Sequence, residues 1–225
     1  MMRKAMRSWI GVATMPLLLA GLAQAQAQAQ DRPPAPAGRP QPGPPGPMAP
    51  ASKNPSAAPA GTYHADLEHA SVVARVLHRG VSYSVLRFGV REGTLAWNPA
   101  KPSAIALAVT VDAKPFYAPI VYKILPEGPQ SLNVEKYPDA RFVSTAVRVT
   151  SGNRATIEGR LTLMGVTKPA VINAELVGVG RSMEGASTIG FTGTMVVDTS
   201  QFTQQPMARM VGTVTVVLDV EFLKQ

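Results

Sequence analysis

The chain has no cysteine. That excludes disulfides, thiolate catalysis, thiolate metal ligands and a lipidated cysteine anchor. Histidine is scarce, with only His64, His69 and His78. A metal centre would need these three to converge, and the plainer reading gives His69 and His78 structural hydrogen bonds near strand ends. Acidic residues are scattered, so no pair of carboxylates suggests glycoside hydrolysis. No glycine-rich loop precedes a helix-period segment in the manner of a phosphate cradle. A Ser-His-Asp set can be assembled on paper from Ser71, His69 and Asp66. There is no Gly-x-Ser-x-Gly elbow and no evident oxyanion hole, so no enzyme is expected. Helix-period segments long enough to cover a sheet are missing as well.

What is present falls into three regions. Arg3, Lys4 and Arg7 precede an apolar run from Trp9 to Ala23, and small-x-small sites such as Ala23-Gln24-Ala25 follow. This is the pattern of a secretory signal, here residues 1–25, cleaved between about Ala23 and Ala29, and it predicts a periplasmic or secreted protein. The apolar run is short for a membrane span, which needs ~20 residues. Residues 26–60 read as a Pro/Ala-rich linker, and 11 of the 21 prolines fall within 31–60. Such a composition has little to bury and is expected to be disordered or polyproline-like. Residues 61–225 then form one domain. The first 60 residues hold six Lys/Arg and one Asp, so most of the basic surplus lies outside it. The domain has no basic cluster interleaved with aromatics, and nucleic acid is not an expected partner. A mild attraction to anionic lipid surfaces is compatible with the charge, and leaves transient membrane contact open.

The domain alternates with a period of two nearly throughout. Val72, Ala74 and Val76 share one face, as do Ile105, Leu107, Val109 and Val111. Ile172, Ala174 and Leu176 share another; so do Ile189, Phe191, Gly193, Met195 and Val197. The clearest face is Val214, Val216, Leu218, Val220 and Phe222, set against Thr213, Thr215, Asp219 and Glu221. Asn98-Pro99, Ser151-Gly152-Asn153 and Gly178 to Gly185 read as turns. Gly159 to Pro169 reads as strand, tight turn, strand, with Gly165 free to take positive φ and Pro169 ending the turn. The interval Phe116 to Tyr137, with Pro119, Pro126 and Pro129, breaks the alternation and reads as a lid or crossover, with Ile120 to Leu125 as a helical turn. Eight or more strands joined by short connections predict an all-β fold, a closed antiparallel barrel or a sandwich.

Several ordered motifs add to this reading. The stretch Gly159-Arg160-Leu161-Thr162-Leu163-Met164-Gly165-Val166-Thr167-Lys168-Pro169 resembles a signature of the YceI-like family. Tyr63 to Val72 is similar to the family's opening Tyr-x-x-Asp-x-x-His-Ser pattern, and His78-Arg79-Gly80-Val81-Ser82 to its His-x-Gly-x-Ser. Gly93 and the strand Ile105 to Asp112 fit, and Lys136 to Thr145 is similar to Tyr-Pro-x-Ala-x-Phe-x-Ser. The resemblance spans almost the whole domain. It implies an extended, lipocalin-like barrel of about eight strands with an apolar tunnel for a polyisoprenoid or other long-chain amphiphile. A quinone or polyprenyl lipid would then be a ligand, with no cofactor, and a homodimer is left open.

The chain also departs from the family pattern. Ala74 stands where members often carry Phe, and Leu86 where they often carry Gly. Leu132-Asn133-Val134 replaces a paired Phe, and the late Arg-x-Asp/Glu-Phe-Gly motif is reduced to Asp198 to Thr203. These changes bear on the shape of a cavity more than on the fold. The expected lining or gate comprises Ala74, Phe88, Trp97, Phe116, Tyr117, Phe142, Phe191 and Phe202. The competing expectation is a barrel filled by its own side chains, serving as an envelope stress or interaction protein without a bound lipid.

Overall fold

The computed structural model describes residues 50–123 and 132–225. The predicted signal segment, most of the linker, and the prolines at 126 and 129 lie outside the described residues. Within them run nine strands: β1 Gly61–His78, β2 Ser82–Phe88, β3 Val90–Trp97, β4 Ala106–Asp112, β5 Asp139–Ser151, β6 Arg154–Leu163, β7 Val166–Arg181, β8 Ser187–Asp198 and β9 Thr213–Lys224. From β3 to β9 each strand pairs antiparallel with the next, and β9 returns to pair with β1. β2 and β3 both pair with β1 and continue one another through Gly89, so the closed barrel has eight strands. Closure pairs both edges of most strands, while β2 pairs with β1 on one side and meets Tyr117 through Arg87 on the other.

The alternation in sequence becomes inside and outside. On β9, Val214, Val220 and Phe222 are buried while Thr213, Asp219 and Glu221 are exposed. The phase is not constant along every strand. The β1–β9 register shifts between Ala65 and Ala70, so Tyr63 and Ala65 point inward at odd positions and Val72, Ala74 and Val76 at even ones. β5 shifts between Ser144 and Ala146, and β7 between Leu176 and Gly178. Each bulge bends its strand and lets a long barrel wall coil.

The predicted hairpin at Gly165 is present. Leu163 pairs with Val166, and Met164 and Gly165 have φ of 51° and 74°. Two positive values in a two-residue loop match the right-handed twist of the flanking strands. Pro169 does not end this turn; it lies inside β7, opposite Arg160. Gly178 to Gly185 is not a turn throughout either. β7 continues to Arg181, and the reversal is confined to the residues between β7 and β8. Gly178 belongs to the bulge, and its missing side chain lets Ala51 pack close, since a Cβ there would stand 2.7 Å from that of Ala51.

That contact marks a second difference. Residues 50–60 are not all free linker. Ser52 exchanges two backbone hydrogen bonds with Val179, at 2.8 and 2.7 Å, and a 3₁₀ turn over Pro55–Ala57 leads to Ala58, which is buried with Tyr63, Leu95, Trp97 and Phe222. Small apolar residues after the proline run thus carry the fold upstream of Gly61.

The barrel has two distinct ends. At one, the start of β1, the β3–β4 connection and the β5–β6 hairpin meet. At the other, the β1–β2 hairpin lies beside two short helices, α1 Ile120–Lys123 and α2 Pro206–Val211. The helical turn predicted after Pro119 is α1. Ala118 and Tyr122 are buried there against Ala74, Val76, Leu86 and Val214, and Val211 of α2 packs on the same cluster. This end of the interior is capped.

Candidate functional site

Inward-facing side chains do not fill the barrel. They enclose a cavity of about 490 Å³ whose lining runs from Pro55, Pro99 and Asn153 at one end to Tyr122, Leu132 and Val211 at the other. Its middle is aliphatic, including Leu107, Val109, Ile157, Leu161, Val216 and Leu218. Small inward residues set its width: Ala74, Ala174 and Gly193 all line it. Val149 lines the cavity yet is 52% exposed, which places the opening beside the β5–β6 hairpin.

Four of the expected aromatics and Ala74 come together in this wall. Phe88, Trp97, Phe142 and Phe191 line the cavity with Ala74. Trp97 meets Phe191 edge-on with ring centroids 5.8 Å apart, and Phe191 meets Phe222 at 6.3 Å. Phe202 is buried against Phe142, Met195 and Val197 and supports the wall from behind without lining the cavity. Phe116 and Tyr117 do neither. They lie on the outer surface, 67% and 55% exposed, because a backbone bridge to Arg87 holds this segment along the outside of β2. The expectation that these two line the interior is therefore corrected. Sequence reasoning named aromatics and passed over the aliphatic majority of the lining. The same period-2 faces would have found it.

Polar groups gather at the open end. Asn153 Nδ2 donates to Glu175 Oε1 and to the Leu176 carbonyl, and Arg154 Nε donates to Glu175 Oε2 at 3.1 Å. These contacts, the Asn153 hydrogen bond first, hold the Glu175 carboxyl below the ordinary glutamate range. Deeper in the wall, the Trp97 Nε1–H is buried without a hydrogen-bond partner among the described residues. An unsatisfied buried donor costs about 1–3 kcal/mol.

The histidines lie elsewhere. The bulge in β1 carries Asp66 to His69 outward, and His69 Nδ1 stands 2.8 Å from Asp66 Oδ2. Ligand atoms of Asp66, His69 and Glu221 fall within 4.8 Å of one another on the outer surface, with no part in the cavity wall. The hydrogen bond to Asp66 pushes His69 above the ordinary histidine value and Asp66 below the ordinary aspartate value. No hydrogen bond joins Ser71 to His69 among the described residues, so the paper triad is not assembled.

Comparison with known proteins follows this geometry. A family model described as a YceI-like domain matches residues 63–222. A UPF0312 protein of Shewanella putrefaciens is 40% identical over 145 residues, covering 62% of this chain and 75% of that protein. A UPF0312 protein of Pseudomonas putida is 32% identical over 169 residues, covering 74% and 88%. Among solved structures, Burkholderia cenocepacia BcnA superimposes with a TM-score of 0.56 at 21% identity, covering 70% of this chain and 98% of that one. A polyisoprenoid binding domain from Saccharophagus degradans gives 0.52 at 15% identity, covering 72% and 98%. At these identities the structural matches speak to the fold.

Proposed function

The chain belongs to the YceI-like family, and from that premise we propose that it is an exported binding protein that holds an isoprenoid-type lipid, of the quinone or polyprenyl class, inside its barrel. The observation that carries this reading is the apolar cavity, open beside Val149 and capped at Tyr122. It argues against a barrel filled by its own side chains. The polyisoprenoid binding of the Saccharophagus domain, which shares the fold, supports the ligand class.

The mechanism is sequestration. Each methylene that leaves water for the cavity contributes about 0.8 kcal/mol. The polar head stays at the rim, where Asn153 and Arg154 stand beside Glu175. The unpartnered Trp97 N–H favours a ligand carrying an acceptor oxygen, as a quinone carbonyl does. A lining this largely aliphatic and aromatic offers burial above all, which suits a binding protein rather than an enzyme. The basic and apolar N-terminal segment supports export to the periplasm or beyond.

Trp97 also supplies the test. The chain has two tryptophans, Trp9 and Trp97, and cleavage of the signal removes the first. Delipidated mature protein titrated with a short-chain prenyl quinone should show saturable quenching of Trp97 fluorescence. A quinone lacking the prenyl chain should quench far less. Equal quenching by both would refute a prenyl-binding cavity.

A further inference from the structure

The exposed aromatics that do not line the cavity form a surface of their own. Phe116 N–H donates to the Arg87 carbonyl at 3.0 Å and Arg87 N–H to the Tyr117 carbonyl at 2.9 Å, so this segment runs along the outside of β2. The Arg87 guanidinium lies 5.5 Å from the Phe116 ring centroid, and that of Arg75 lies 4.4 Å from the Tyr83 ring. Tyr83 pairs across the strands with Leu77, and both point outward. Val81 at the hairpin tip is 86% exposed, and Ile120 at the start of α1 is 81% exposed. Outward-facing Leu77, Tyr83 and Val85 lead along β2 to Arg87 and Phe116, an exposed apolar stripe of the kind that marks a contact surface.

The charge of the segments that build this stripe has one sign. Residues 71–91, 113–123 and 199–218 contain seven Lys/Arg and no Asp or Glu. The domain from residue 61 holds sixteen Lys/Arg and thirteen Asp/Glu, so the rest of it keeps nine against all thirteen acids. Among the described residues, Arg75, Arg79, Arg87 and Arg209 form no ion pair with a carboxylate. Three acids stand at this end as well, Asp112 at the end of β4, Asp139 at the start of β5 and Asp198 at the end of β8; Arg91, one of the seven cations, pairs with the first two, and Asp198 accepts from Ser200 and Gln201. The modest net charge of the domain therefore conceals a local surplus of unpaired arginines on this patch.

We propose that this end docks on an anionic lipid surface. Arginines held beside aromatic rings, with aliphatic side chains at the outermost points, suit the interface of a bilayer. There the rings and aliphatic groups enter the headgroup layer, and the cations meet phosphates. No described helix is long and apolar enough to cross a membrane, so the contact is peripheral. The segment that displays Phe116, Tyr117 and Ile120 also buries Ala118 and Tyr122 over the cavity. Docking thus sets the capped end of the lipid cavity against the bilayer, a consequence that rests on the lipid-binding reading. The docking surface itself stands on the patch alone.

The test is co-sedimentation of the mature protein with phosphatidylcholine vesicles, with and without phosphatidylglycerol. Binding should require phosphatidylglycerol and weaken in high salt. Arg79→Glu with Arg87→Glu should lower the affinity by about tenfold or more, and Phe116→Ser with Tyr117→Ser should lower it in all salt conditions. Lys53→Glu with Lys101→Glu, at the opposite end, should leave it unchanged. All three variants should keep the Trp97 response to a prenyl quinone, which shows them folded and separates docking from lipid capture. Wild-type protein that takes up quinone but ignores anionic vesicles would overturn the docking surface and leave the lipid-binding reading in place. Equal loss in the Lys53/Lys101 variant would overturn the assigned end. A patch that drives self-association in solution, with no vesicle binding, would overturn the proposal in favour of a second copy of the chain.

Discussion

Ala74→Phe separates a lipid cavity from a filled core in one experiment. Ala74 is inward on β1, flanked across the sheet by Leu86 and Val216, and lines the cavity near its capped end. The substitution adds six ring carbons to the wall of a cavity of about 490 Å³. It should therefore displace about six ligand carbons. At about 0.8 kcal/mol each, the loss approaches 5 kcal/mol as an upper bound, an affinity drop of up to roughly three thousandfold. The ring enters open space, so stability in urea should hold or rise. The assay is the Trp97 quenching titration run beside a denaturation curve. A loss of ~1–3 kcal/mol in stability with quinone affinity unchanged is what overpacking of a filled core produces, and it would refute the cavity argument at this position.

Other outcomes follow from the same geometry. Gly165→Val should cost on the order of 1–3 kcal/mol in a urea titration, because φ is 74° and a Cβ would stand 2.7 Å from the Tyr137 ring; a variant as stable as the parent contradicts the turn. Removing residues 26–49 should leave the melting temperature unchanged, whereas extending the deletion through Ala58 should lower it, since Ser52 and Ala58 are docked on the barrel; equal melting temperatures would show that docking contributes nothing. An NMR titration should place the His69 midpoint above the ordinary histidine value, and Asp66→Asn should bring it down. The sign follows from the raised value: the pair's contribution is full at mildly acidic pH, fades as pH rises through the His69 midpoint, and is lost again as pH falls through the depressed Asp66 value. An unmoved midpoint in Asp66→Asn would remove Asp66 as the cause.

The faces of β4, β8 and β9 could be read from the sequence because each keeps one phase from end to end. Val214 through Phe222 alternates except at Val217, and the structure turns that face inward. β1, β5 and β7 could not be read so fully. A bulge inserts residues that look like any others but reverse which neighbours face inward, so Tyr63 and Val72 sit on the same side despite odd spacing. The motif resemblance located the barrel and its lumen, and the period-2 faces located most of the wall. Phe116 and Tyr117 were misplaced because their position depends on backbone hydrogen bonds to Arg87, a non-local pairing that local pattern does not encode. The local surplus of arginines was hidden for a related reason: a net count averages segments that the fold places apart.

The most direct test of the central claim is mass spectrometry of the lipid extracted from mature protein purified without detergent from its native compartment. The extract should hold an isoprenoid-type lipid at near-stoichiometric amount, depleted in Ala74→Phe and retained in Phe116→Ser with Tyr117→Ser. Protein that is folded and free of any extractable isoprenoid, and that takes none up when offered, would contradict that claim.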